Sequence, residues 1–111
     1  MSQVITEIVE GWTAALQYRL LSSSDPIDLT NYTVIPICED KRGSVVSTSS
    51  DYTEDSTTGG EVSYLPGSTG TFKASLSPYT LQFQLVDASD KDLYVPSQEP
   101  IIIKVRPIGA L

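Results

Sequence analysis

Residues 79–86, Tyr-Thr-Leu-Gln-Phe-Gln-Leu-Val, decide how this chain is read. Tyr79, Leu81, Phe83 and Leu85 alternate with Thr80, Gln82 and Gln84, so the large apolar side chains share one face of a pleated strand. A helical winding would scatter the same residues round a cylinder. The stretch is a half-buried strand, and its period of two is the measure for both flanks.

Downstream, residues 87–92 (DASDKD) carry turn chemistry, Leu93 to Val95 read as a short strand stopped by Pro96, and residues 101–105 (IIIKV) form a last strand closed by Pro107. Upstream, residues 31–39 (NYTVIPICE) read as a strand. Thr33, Ile35 and Ile37 are expected on its core face, with Tyr32, Val34 and Cys38 opposite. Pro36 cannot donate to a ladder, which places this strand at an edge or at a bulge. Asp40-Lys41-Arg42-Gly43 then closes a hairpin into Val45 and Val46.

Trp12, Ala14, Leu16, Tyr18 and Leu20 alternate with Thr13, Ala15, Gln17 and Arg19, which predicts a strand over 12–21. A helix competes, because Val4, Ile8, Trp12, Leu16 and Leu20 are four apart, but Gly11 inside it would cost about 1 kcal/mol. Residues 22–26 (SSSDP) are a turn. Residues 47–60 (STSSDYTEDSTTGG) have the composition of a solvated loop, exposed and tolerant of shortening, with Tyr52 pinning it to the body. Val62, Tyr64 and Phe72 resume the apolar pattern.

Seven or eight short strands with regular turn signals predict an all-β chain folded as an antiparallel β-sandwich. Its expected core is Trp12, Leu16, Ile35, Ile37, Leu81, Phe83, Ile101 and Ile103. Composition agrees: nine Val, nine Ile and eleven Thr stand against five Ala, and branched side chains suit a pleated sheet. At 111 residues the chain is one domain, divided here into an N-terminal segment, 1–9, and a sandwich, 10–111.

The chemical equipment is sparse. With no histidine, the usual general base and commonest metal ligand are missing, and Ser-His-Asp or Cys-His catalysis cannot be assembled within the chain. The single Cys38 can form neither an internal disulfide nor a four-cysteine zinc site and reads as a small buried hydrophobe. Asp51, Glu54 and Asp55 share a segment rich in hydroxyls, as do Asp87, Asp90 and Asp92 a turn. Neither has the spacing of an EF-hand loop, so both are expected to be solvated acidic loops without metal. No enzyme activity and no cofactor are expected. A net charge of −7 argues against nucleic acid, no apolar run is long enough to span a membrane, and the N-terminus lacks the basic and apolar parts of a secretory signal.

The order of these features resembles a family of small immunoglobulin-like domains of tailed bacteriophages, exemplified by the N-terminal domain of baseplate upper proteins. The similarity runs over roughly residues 10–106. It is carried by Pro26-Ile27-Asp28-Leu29-Thr30, by Asp40 to Gly43, by Gly60-Glu61-Val62-Ser63-Tyr64, by Tyr79 to Val86 and by Ile101 to Val105. In the Asp28-Leu29-Thr30 turn the carboxylate is expected to cap, Leu29 to bury and Thr30 to bond back to the backbone.

The resemblance implies an immunoglobulin-like fold and a non-enzymatic virion protein, made in the host cytoplasm. Its role would be head decoration or cement on the major capsid protein, with a tail or baseplate accessory domain as the alternative and a homo-oligomer on the particle compatible with either. A carbohydrate- or receptor-binding module is the rival, with Tyr52, Tyr64 and Tyr94 as candidate contacts. The candidate partner-binding residues are Val4, Ile5, Ile8 and Val9, in a segment that either pairs within its own sandwich or adds to a neighbour's sheet edge. The partner surface is expected to be neutral or basic.

Overall fold

The computed structural model describes residues 4–22, 25–66, 70–89, 91–96 and 100–108. Its strands, in chain order, are β1 (Ile5–Val9), β2 (Leu16–Arg19), β3 (Leu21–Ser22), β4 (Asp25–Pro26), β5 (Thr33–Glu39), β6 (Tyr52–Ser56), β7 (Glu61–Tyr64), β8 (Tyr79–Val86), β9 (Asp92–Val95) and β10 (Ile101–Arg106). A 3-10 turn, Ala74–Leu76, precedes β8. No helix forms across Gly11.

The chain is an all-β sandwich. β8 is its organising strand. One edge of β8 pairs with the whole of β5, from Thr33↔Val86 to Glu39↔Thr80. The other edge is shared: β10 takes the first part, Ile103↔Tyr79 to Ile101↔Leu81, and β9 takes the second, Phe83↔Val95 to Val86↔Asp92. β1 joins β10 on the far side, so the large sheet runs β1-β10-β8-β5 with β9 beside β8. The second sheet has the order β2-β7-β6, and β3 and β4 form a small ribbon.

The core lies between the two sheets. From the large sheet come Tyr79, Leu81, Phe83 and Leu85, the face that alternation assigned to β8, with Ile101, Ile103 and Val105; Leu16, Val62 and Tyr64 belong to the small sheet. Aromatic rings bridge the layers: Phe72 stands edge-on to both Tyr64 and Tyr79, with centroids 6.2 and 5.0 Å away, and Tyr18 of β2 tilts over Phe83 at 6.3 Å. The hydroxyls of Thr6 on β1 and Tyr18 on β2 share a hydrogen bond of 2.9 Å, a polar tie between the sheets.

Several local expectations hold. The Asp28 carboxylate accepts the Thr30 N–H and Leu29 is fully buried; the Thr30 hydroxyl bonds to that carboxylate rather than to the backbone. At the Asp40–Gly43 turn, Gly43 takes φ +85° and donates to the Asp40 carbonyl, and Glu39 bridges Val45. Gly60 sits at φ +68°, where a Cβ would lie 2.7 Å from the Leu20 carbonyl and 2.8 Å from that of Ile27. Only glycine lets the β6–β7 connection pass so close to the β3–β4 ribbon.

Four expectations are corrected. The strand expected over 12–21 is reduced to β2 and the short β3, and Trp12 lies on the surface, 38% exposed, its indole N–H donating to the Ala14 carbonyl. The phase of β5 is inverted: Val34, Pro36 and Cys38 face the core, and Ile35 and Ile37 lie half-buried on the outer face. Pairing is not antiparallel throughout, since β1 runs parallel to β10. Residues 47–60 are not simply a loop, because 52–56 form β6, an edge strand paired with β7 through Tyr52↔Tyr64 and Glu54↔Val62. Tyr52 does pack against the core as expected.

Pro36 lies on an edge strand, as its missing N–H requires. The outer edge of β5 is partly closed by the segment after the hairpin. Ser47 Oγ donates to the Pro36 carbonyl and accepts from the Cys38 N–H, and the Val46 N–H donates to the Cys38 carbonyl.

Candidate functional site

The site begins with how β1 is held. The Val4 carbonyl accepts the Ile102 N–H, and the Glu10 N–H donates to the Arg106 carbonyl. Between these bonds the register runs from Ile5↔Ile102 to Val9↔Arg106 in parallel. In a parallel ladder the main chain of every second residue faces the partner strand. The even residues Val4, Thr6, Ile8 and Glu10 therefore face β10, and the main-chain groups of Ile5, Glu7 and Val9 face away from it. Among the described residues β1 is the end of its sheet and no strand pairs with its far side, so these outward groups line an open edge.

Side chains follow the same period. Thr6 and Ile8 point inward: Ile8 is 3% exposed and Thr6 bonds to Tyr18. Ile5, Glu7 and Val9 belong to the outer face, with Ile5 at 51% and Val4 at 50% exposure. Of the candidate partner-binding residues, Val4 and Ile5 are thus surface residues at the sheet edge, Val9 is half-buried, and Ile8 is part of the protein's own core. Glu7 was missed by a search for apolar residues. The signal that could have found it is parity, since Ile5, Glu7 and Val9 share a face.

The remaining edges carry identifiable blocks. β5 has Pro36 and the Ser47 cover. β6 is bulged between Glu54 and Ser56 and carries both Glu54 and Asp55. β2 and β9 are short, with four residues each. β1 has five residues with neither proline nor bulge.

The acidic groups are structural. Asp55 ties all three strands of the small sheet together, accepting from Ser63 Oγ on β7, Gln17 Nε2 on β2 and Thr53 Oγ1 on β6. Glu54 accepts from Thr57, and Asp51 from the Thr48 N–H. Asp87 caps its turn by accepting the Ser89 and Lys91 N–H groups; Asp90 lies outside the described residues. Among the described residues no group of His, Cys, Asp or Glu is arranged to hold a metal ion.

Cys38 is fully buried, and desolvation pushes its thiol up to about 12, with Tyr64 lowering it and the Glu39 and Asp40 carboxylates raising it. Tyr64 is also buried. Desolvation and then the neighbouring Cys38 push its hydroxyl well above the ordinary tyrosine value, and its geometry toward that thiol falls short of a hydrogen bond. Tyr64 therefore cannot serve as a surface contact for a glycan. Tyr52 is half-buried, and Tyr94 is 43% exposed beside Gln84 on the outer face of the large sheet. No described helix is long and apolar enough to cross a membrane.

Comparison with models of protein families, with curated proteins and with solved structures finds no match to this chain.

Proposed function

We propose that this chain is a non-enzymatic structural protein of a tailed-bacteriophage particle, an immunoglobulin-like accessory domain that docks on the assembled head as a decoration or cement protein. The observation that carries the docking role is the open edge of β1, flanked by exposed Val4 and Ile5 on a sandwich whose other edges are blocked or short. The phage setting rests on the resemblance in motif order, of which the Asp28–Thr30 turn is one element. A small domain with one docking edge suits a symmetric lattice, where many weak contacts add up to stable occupancy. The net charge of −7 favours a neutral or basic surface beneath it.

The test is co-sedimentation of the purified chain with isolated heads and with isolated tails that lack it. Saturable binding to heads, weakened by salt, is the expected result. Binding to tails alone would move the protein to the baseplate or tail. Binding to neither, with retention on a glycan array, would replace the proposal with the carbohydrate-binding reading.

A further inference from the structure

We infer that the outward edge of β1 pairs with an extended strand from a different protein chain, and that this strand places Lys or Arg opposite Glu7 with apolar residues opposite Ile5 and Val9. The inference rests on the docking reading above and names the chemistry of the partner.

The Ile5, Glu7 and Val9 N–H groups and the Ile5 and Glu7 carbonyls face away from β10, and the Val9 carbonyl accepts the Trp12 N–H. An incoming strand therefore finds alternating donors and acceptors over three residues, which is what strand addition requires. It also finds side chains at two-residue spacing on one face: Ile5, Glu7, Val9. Residues opposite them on the incoming strand lie about 5 Å away and contact them directly.

Charge selects the occupant. Glu7 makes no ion pair among the described residues. Its in-register neighbour on β10 is Lys104, which would lie about 10 Å, two strand spacings, from a residue on the incoming strand. At that distance salt screens its repulsion, while Glu7 is adjacent. A cation opposite Glu7 is thus attracted more strongly than Lys104 repels it. A second copy of this chain fits poorly. The two-fold pairing with greatest overlap sets Ile5 against Val9 twice but Glu7 against Glu7, with like charges directly opposed between two molecules that each carry −7.

The experiment uses the full chain and the capped peptide Thr-Val-Thr-Lys-Thr-Val-Thr at millimolar concentration, with amide hydrogen exchange followed residue by residue. The expected result is exchange slowed at least about tenfold at Ile5, Glu7 and Val9, with Thr6 and Ile8, already bonded to β10, unchanged. The same peptide with Glu in place of Lys should protect several-fold less, and Glu7→Lys should reverse that preference. Glu7→Pro removes an outward N–H that β10 does not use, so it should abolish protection by the peptide while Ile8 stays protected. Unchanged exchange at the edge would overturn the inference. So would equal protection by the Lys and Glu peptides, or protection that rises with protein concentration alone and marks a self-paired dimer. Failure to bind phage heads while the peptide still protects the edge would count against the particle role and leave this inference standing.

Discussion

Pro36 lies directly opposite Phe83 in the antiparallel register of β5 on β8, and this pairing decides which face of β5 is buried. Phe83 is fully buried and packs against Tyr18 of the opposing sheet. Residues directly opposite across a ladder share a face, so Val34, Pro36 and Cys38 go inward with it. Phe83→Ala should then cost roughly 3–5 kcal/mol, much of the stability of a domain this size. Urea unfolding checks this, and a midpoint that barely moves would mean that Phe83 does not hold the two sheets together.

Tyr64→Phe should go the other way. The hydroxyl is buried without a hydrogen-bond partner, and an unsatisfied buried polar group costs on the order of 1–3 kcal/mol. Removing it while keeping the ring against Phe72 should stabilise the fold by about 1 kcal/mol. A lower thermal midpoint for the variant would show that the hydroxyl is held by a bond worth keeping.

Gly60→Ala should be destabilising by about 2 kcal/mol or more, combining a left-handed backbone with a side chain that has no room. The Cβ would meet the Leu20 and Ile27 carbonyls. Gly43→Ala at a similar φ has open space around its Cβ and should cost about 1 kcal/mol, the backbone part alone. Equal losses for the two variants, read from denaturation midpoints, would refute the crowding argument.

Stability should fall in acid through Asp28 and Asp40. The Thr30 hydroxyl and N–H lower the Asp28 carboxyl below its ordinary 3.8. For Asp40, burial would raise the carboxyl, but the Ser44 and Arg42 N–H groups and the Arg42 guanidinium outweigh it and hold it below the same value. Both groups release their protons more readily folded than unfolded. Their contribution is therefore fully present above about pH 4 and is lost as pH falls through the lowered folded values. Urea midpoints measured from pH 7 down to pH 2 should drop in the acid limb, and less steeply in Asp40→Asn. An identical limb in that variant would remove Asp40 from the account.

Cys38 should be inert in the folded protein. Its thiol has almost no thiolate at neutral pH, being pushed up to about 12, and it is fully buried. Alkylation with iodoacetamide at pH 8 should be slow in buffer and fast in denaturant. Rapid native labelling would show that the sandwich opens locally around β5.

The sequence by itself determined the elements whose two faces differ in polarity. β8 alternates large apolar residues with Thr and Gln, so its inner face could be named before any partner was known. The turns at Asp28–Thr30 and Asp40–Gly43 were equally legible, because a carboxylate cap or a glycine at positive φ is a local requirement. β5 is apolar on both faces, and β6, Tyr-Thr-Glu-Asp-Ser, is mostly polar along its length. In neither case does local alternation say which way the strand faces or whether it pairs at all. Only the tertiary structure decided these points: the Pro36–Phe83 register turned Ile35 and Ile37 outward, and the Asp55 bonds to Gln17 and Ser63 tie the 52–56 segment into a sheet. Trp12 and β1 belong to the same class. The alternation that predicted Trp12 in the core ends where the chain turns after Val9, and the parallel pairing of β1 with β10 joins residues almost a hundred positions apart. Period and turn chemistry are written in neighbouring residues, whereas the choice between two similar faces, and of which edge stays open, is made by distant strands competing to bury the same surface.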